Sequence, residues 1–360
     1  MNKILPFEEK AIITSYPHYS FMCSMIQTKE NGLEWIYQAY IQLRSIDIRG
    51  TEKFSRDSRL SFYPGAGATE GDLWDLCPFI DKFVIPRHLL LKSRTSHTEF
   101  IKGLIDKDLY AMLYIDQFFI EDVRQMDVFY HPLFIYGYDD DKQVFHCADC
   151  FENLKYGVKE VSYKCFEMAS RKFYSNDLMN GIVCFKLKDY VSSGFSIDFV
   201  KKQLSDYLDS GANQIDYYNK IKMPTGVRII GDTEWRDAFG IKAYDQIKLI
   251  LEDILFSKYP WNAKIILAPD LRLVVDHSLL NLRRYSFIVE KYGLTENEKL
   301  VKDMENQFAK ARIIENLLLK YSLSPDLDYV SKMLSKINKF VEDEKEITAQ
   351  LLKELEGLHD

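Results

Sequence analysis

No stretch of this 360-residue chain approaches the roughly 18 consecutive apolar residues that a membrane-spanning helix needs. Its opening, "MNKILPFEEKAIITSYPHYS", is broken by charge and proline and lacks the apolar core of a secretory signal. Long basic runs are missing as well and the net charge is −7, which argues against a nucleic-acid partner. The six cysteines are too scattered for a disulfide framework and read as thiols. There is no repeat of fixed period and no low-complexity segment. These absences lead to the expectation of a soluble, cytoplasmic protein without membrane contact.

Hydrophobic residues, in contrast, make up 47% of the chain, with 23 Tyr and 23 Phe, enough for large packed cores rather than disorder. The length favours two domains, and the texture changes near residue 190. Before it, helix-like and strand-like stretches mix. "GLEWIYQAYIQL" (Gly32 to Leu43) has helical spacing after an Asn31-Gly32 turn. "SFYPGAGATEGD" (Ser61 to Asp72) is rich in small residues and reads as a loop. "LYAMLYID", "PLFIYGYD", "QVFHCAD" and "GIVCFKLK" are short, aromatic or β-branched, and bounded by turn residues, as strands are. After residue 190 nearly every segment has helical periodicity, beginning with "SIDFVKKQLSDYLDSG", with Ser196 and Asp198 as candidate caps and Gly211 as a stop. The expected fold is α+β over residues 1–190 and an α-helical bundle over 191–360.

One hairpin carries chemistry. His131 opens an apolar strand, "GYDDD" reads as a turn, and Asp149 ends the next strand. Antiparallel neighbours bring the start of one strand beside the end of the other. A carboxylate there would fix the imidazole tautomer and leave its second nitrogen able to take a proton. The same pattern also suits a hairpin with no catalytic role, so the residues by themselves leave both readings open.

The run "HPLFIYGYD" followed by Asp149 resembles the second half of the papain-like cysteine peptidases, in particular those that cut double-glycine leaders. With "KDLYAMLYIDQFFIEDVRQMDVFYHP" before it, the stretch is similar to the butirosin-biosynthesis acyltransferase family, over roughly residues 10 to 190. "DLRLVVDHSLLNLRRYSFI" (Asp270 to Ile288) also looks like the helical extension of relatives encoded beside peptide synthetases. The resemblance implies a papain-like first domain, His131 as general base and Asp149 as its orienter. It also implies acyl transfer in secondary-metabolite (nonribosomal peptide-type) biosynthesis, from the phosphopantetheine thioester of a carrier protein to a small amine. Relatives that assemble polythioamides join a carrier-bound chain to a diamine. No cofactor of the protein's own is implied.

That chemistry needs a thiol near the N-terminus of a buried helix, where dipole and imidazole favour the thiolate. Cys23, in "YPHYSFMCSMIQ", is the only cysteine in the first 76 residues and is the candidate nucleophile, with its own N–H as candidate oxyanion donor. The stretch departs from the family pattern. The glutamine usual before the peptidase cysteine is missing. In the acyltransferase register His18 matches the family histidine and Tyr19 stands at the cysteine position, which would leave Cys23 in the core and Ser20 as a fallback. Two other readings follow: a catalytically inactive papain-like scaffold that binds a carrier protein or synthetase, and a cysteine peptidase or amidase.

Further constellations carry less. "HCADC" holds His146, Cys147 and Cys150, but no second pair completes a tetrahedral metal set, and no metal is expected. "PGAGATEGD" lacks a Walker lysine. His277 lies in an apolar helical context and reads as a core or interface residue; His88 and His97 have no organised partners in the sequence. Arg283 and Arg284 are candidates for docking an acidic carrier protein, and the helical half is also a candidate homodimer surface.

Overall fold

The computed structural model describes residues 2–46, 60–63, 74, 77–92, 95–121, 123, 128–152, 155–171, 181–189, 191, 194–211, 237–256 and 263–360. In chain order its strands are β1 (Asn2–Ile4), β2 (Leu43–Ile46), β3 (Leu60–Phe62), β4 (Ile80–Pro86), β5 (Tyr110–Asp116), β6 (Tyr130–Asp139), β7 (Val144–Glu152), β8 (Lys155–Ser162), β9 (Gly181–Leu187) and β10 (Asp237–Phe239). The helices are α1 (Pro17–Ile26), α2 (Gly32–Ala39), α3 (Arg87–Lys92), α4 (His97–Ile105), α5 (Tyr163–Arg171), α6 (Ile197–Asp209), α7 (Asp245–Leu255), α8 (Ala263–Tyr292), α9 (Glu298–Leu323) and α10 (Leu327–Glu354). Helix and antiparallel sheet thus mix in the first half, and the C-terminal region is helical. Among the described residues no helix is long and apolar enough to cross a membrane.

The chain divides into two compact units. The first comprises Met1–Leu33 and Cys77–Ser193; the second comprises Glu34–Leu76 and Gly194–Asp360. In the second unit the described residues of the early segment are bound to the helices. Arg284 on α8 donates to the carbonyls of Tyr37, at 2.5 Å, and Tyr40, at 2.6 Å. His277 bonds Ile41 O at 2.9 Å, and β2 pairs with β10 and β3. Of the glycine-rich loop read at Ser61–Asp72, Ser61 and Phe62 belong to β3 and residues 64–72 lie outside the described ones.

The first unit is built on an antiparallel sheet in the order β4-β9-β5-β6-β7-β8, with β1 also paired to β6. Phe134 on β6 is fully buried. Around it stand Phe21 of α1 at 4.8 Å, Phe7 at 5.5 Å, Tyr110 at 5.7 Å and Phe185 at 6.0 Å between ring centroids. Offset aromatic stacking of this kind adds to the burial that fixes α1 on the sheet. On the other face Phe145 of β7 meets Phe166 of α5 at 4.9 Å.

The strand read at "PLFIYGYD" runs through Asp139, so Gly137, Tyr138 and Asp139 of the "GYDDD" turn reading are strand, paired with both β1 and β7. The turn is Asp140 to Gln143, in which Asp139 Oδ1 accepts from the N–H groups of Asp141 and Lys142. Gly137 is required by that close approach: a Cβ there would stand 2.7 Å from Lys3 O.

Candidate active site

Strand register decides which side chains meet. Phe134 pairs with Ala148, and Asp149 is the next residue along β7. Alternation therefore turns Asp149 to the face opposite Phe134 and Ala148. His131, three residues before Phe134, lies on the Asp149 side. Its Nδ1 is 2.7 Å from Asp149 Oδ1. The carboxylate accepts, so Nδ1 carries the proton and Nε2 keeps its lone pair.

The two partners differ in exposure. The Asp149 side chain is 0% exposed and the His131 ring is 19% exposed. Among the described residues Asp149 is the only hydrogen-bond partner of His131. The ring stacks on Phe129, with centroids 5.4 Å apart and planes at 15°. One edge of the imidazole is thus held by the buried Asp149 carboxyl group and one face is covered by an aromatic ring.

A buried carboxylate needs donors for its remaining lone pairs. Asp149 Oδ1 also accepts from the Cys150 N–H at 2.6 Å, and Oδ2 accepts from Gln117 Nε2 at 2.5 Å. Gln117 opens a short 3-10 turn (Gln117–Phe119) directly after β5 and is fully buried. Its neighbour Asp116 holds the turn in place: Oδ1 accepts from the N–H groups of Phe118 and Phe129, both at 3.1 Å. Gln117 N–H in turn donates to Phe129 O at 2.9 Å. One carboxylate, Asp116, therefore ties together the two chain segments that carry Gln117 and His131. Neither Asp116 nor Gln117 was singled out from the sequence. The available sign was a polar Asp-Gln pair placed between an apolar strand and Phe118-Phe119.

The candidate nucleophile lies elsewhere. Cys23 is in α1 and is 0% exposed. Phe21 places α1 on the Phe134 face of the sheet, and Ser24 Oγ, next to Cys23, is 3.0 Å from Tyr156 Oη. Tyr156 pairs with Cys150, which shares the Ala148 face. The structure thus brings His131 and Asp149 together and sets Cys23 on the opposite face of the strands that carry them. Ser20, the fallback, is also fully buried and its hydroxyl donates back to Tyr16 O at 3.0 Å. Tyr19 is buried beside His18, with ring centroids 4.2 Å apart. Burial lowers the His18 pKa to about 4, and its Nε2 has no hydrogen-bond partner.

The remaining candidates have structural settings. Cys147 and Cys150 point to opposite faces of β7, and burial pushes both thiols well above their ordinary range, with Asp149 adding to the shift. His97 is buried with Nδ1 2.8 Å from Ser170 Oγ. Arg284 is not a surface cation at all: it is fully buried and its guanidinium serves Tyr37 O, Tyr40 O and Asn281 Oδ1. Arg283 is exposed.

No protein-family model matches the chain, and no curated protein matches it.

Proposed function

We propose that the first unit is a papain-like acyltransferase domain in which His131 is the general base. The observation that carries this reading is the 2.7 Å bond from His131 Nδ1 to the buried Asp149, with the ring partly exposed on its other side. Such a pair fixes the tautomer, stabilises the imidazolium that forms, and leaves Nε2 to accept a proton. The likeness of "HPLFIYGYD" and the following aspartate to the butirosin-type acyltransferases supplies the reaction class.

Aminolysis of a thioester suits this geometry without a covalent step. The amine nitrogen attacks the carbonyl carbon of the carrier-bound thioester, and Nε2 of His131 takes the proton that the nitrogen loses. The C–S bond breaks, an amide forms, and the carrier thiolate leaves with the proton that His131 returns. A route through an acyl-Cys23 intermediate would need α1 to expose a thiol that is now fully buried. Direct transfer uses the site as it stands.

The test is turnover of acyl-pantetheine thioesters, free and on carrier protein, with a panel of mono- and diamines. Amide formation that is lost in His131→Ala supports the reading. Intact-mass analysis under acyl donor alone separates the two routes, because an acyl adduct on Cys23 would restore the covalent one.

A second reading has its own observation. Cys23 is 0% exposed, and the resemblance to the acyltransferases implies Tyr19 at their cysteine position. Both fit a papain-like scaffold that binds a carrier protein or synthetase without chemistry. Carrier binding with no amide formation, unchanged by His131→Ala, would select it.

A further inference from the structure

We infer that Gln117 is a positioning residue that holds Asp149 in the orientation the His131 tautomer requires. The inference rests on the general-base reading and adds a residue to it. Asp149 lies in the sheet with no exposure to solvent, so its carboxylate can be oriented only by protein donors. Oδ1 is shared by His131 Nδ1 and the Cys150 N–H, and Oδ2 is served by Gln117 Nε2. Without the Gln117 bond, Oδ2 is an orphan in a sealed position. The carboxylate then gains by rotating toward whatever donor remains, and the Oδ1–Nδ1 alignment loosens.

Gln117 is placed for this task by means that do not involve His131. It is the first residue after β5, and Asp116 clamps the turn through the Phe118 and Phe129 N–H groups. Its own side chain is fully buried and its Oε1 has no hydrogen-bond partner. Leaving a buried carbonyl oxygen unsatisfied is destabilising, so the amide is held there at the expense of stability, which fits a residue kept for its donor. An amide can also donate to a carboxylate without adding charge beside it.

The experiment is imidazole nitrogen NMR on the full chain with 15N-labelled histidine, which reads tautomers independently of any substrate. In the wild type His131 is expected as the Nδ1–H tautomer. In Gln117→Leu it is expected to become a mixture, with turnover of the thioester probe down about tenfold or more. Because a leucine at a sealed polar position can unfold the site, the isosteric Gln117→Glu is the second variant. Two carboxyls at this distance share a proton, so the introduced group donates at neutral pH and the wild-type tautomer is kept. On the alkaline side that proton is lost, and so is the tautomer, while the wild type keeps it.

A folded Gln117→Leu protein that retains the pure Nδ1–H tautomer and wild-type turnover overturns the inference, as does a Gln117→Glu protein with no alkaline change. Asp149→Asn separates this failure from that of the general-base reading. If the asparagine variant leaves the tautomer untouched, Asp149 does not orient His131 and the underlying reading falls. If it shifts the tautomer while both Gln117 variants do not, only the role of Gln117 falls.

Discussion

The two units each bury a carboxyl group against a histidine, and the two pairs differ in exposure. In the first unit His131 stands 2.7 Å from Asp149, with the ring 19% exposed. In the second, His277 on α8 stands 3.5 Å from Glu344 on α10, and the two side chains are 1% and 2% exposed. Among the described residues Asp149 is the only hydrogen-bond partner of His131, whereas His277 Nε2 is bound to Ile41 O at 2.9 Å. That carbonyl accepts, so Nε2 of His277 carries the proton and Nδ1 presents a lone pair toward Glu344. Burial, helped by the Arg284 charge, lowers the His277 pKa to about 3, so the ring is neutral and the pair is not an ion pair. Burial also raises Glu344 to about 7, against donors from Gln307, Asn281 and Tyr207 and the charge of Arg284. A histidine beside a buried carboxyl group thus stands partly exposed in one unit and sealed in the other.

Removing the two histidines should break the comparison most sharply. His131→Ala is expected to lower thioester aminolysis by about 10²–10⁴-fold, the range for loss of a general base, and to cost about 1–3 kcal/mol of stability because the buried Asp149 loses a donor. Steady-state rates beside a denaturant titration would check both halves of that statement. His277→Ala should act on the fold alone. It orphans Ile41 O and removes a buried ring packed 5.2 Å from that of Tyr207. A loss of about 3 kcal/mol is expected, read as a shift in the denaturation midpoint of the helical unit.

Legibility in the sequence followed the same divide. The His131–Asp149 contact was readable because a hairpin is local: strand period and a polar turn bring its ends together at fixed offsets. The strands at Tyr110–Asp116 and Gly181–Leu187, and the helical texture after residue 190, were readable for similar reasons of period. What stayed hidden depends on distant chain. The binding of Tyr37, Tyr40 and Ile41 to α8 draws residues 34–76 into the helical unit, and no local pattern announces bonds spanning more than 200 residues. Arg284 read as a docking cation because sequence shows a charge but not the carbonyls that surround it. Gln117 went unnoticed because its value lies in what Asp149 lacks. For Cys23 the sequence left two readings, nucleophile or core residue, because helical spacing gives a face but not what covers it; the thiol is buried.

Acidity should distinguish the pairs next. For Glu344 the folded-state pKa, about 7, lies above the ordinary value of 4.5. Folding therefore favours the protonated acid. Its contribution to stability is complete below pH 4.5 and is lost as the pH rises through 7, by an amount on the order of a few kcal/mol. The groups that face it are Tyr207 on α6, Tyr244, His277 and Arg284 on α8, and Gln307 on α9; none of the other titratable ones changes charge in that window, since His277 titrates near 3, Arg284 near 9 and the two tyrosines are pushed well above their usual range. Denaturation midpoints followed from pH 4.5 to 8 are expected to fall in the wild type and to stay nearly level for this contribution in Glu344→Gln. An equal slope in both proteins would mean that the carboxyl is charged throughout and that the knot is an anion held by its donors.

Tyr207→Phe tests the same knot with the smallest expected effect. The hydroxyl is 3.5 Å from Glu344 Oε1 and 3.3 Å from Tyr244 Oη, both longer than a strong O–H···O bond. Its loss should therefore cost under about 1 kcal/mol, since the ring and its packing remain. The direction with pH is the informative part. Tyr207 is one of the donors that hold the Glu344 pKa down, so without it the carboxyl should ionise at a slightly higher pH and the fall in stability should move the same way. Asn281, at 3.1 Å, and Gln307, also at 3.1 Å, are the closer donors, and a large shift from Tyr207→Phe would transfer to the phenol the part these two amides are given. In the first unit the corresponding amide is Gln117, at 2.5 Å from a carboxylate whose histidine is open to a ligand. The helical knot is thus a control within the same molecule: there, loosening an amide should move stability and its pH dependence, whereas loosening Gln117 should move the histidine tautomer and the rate.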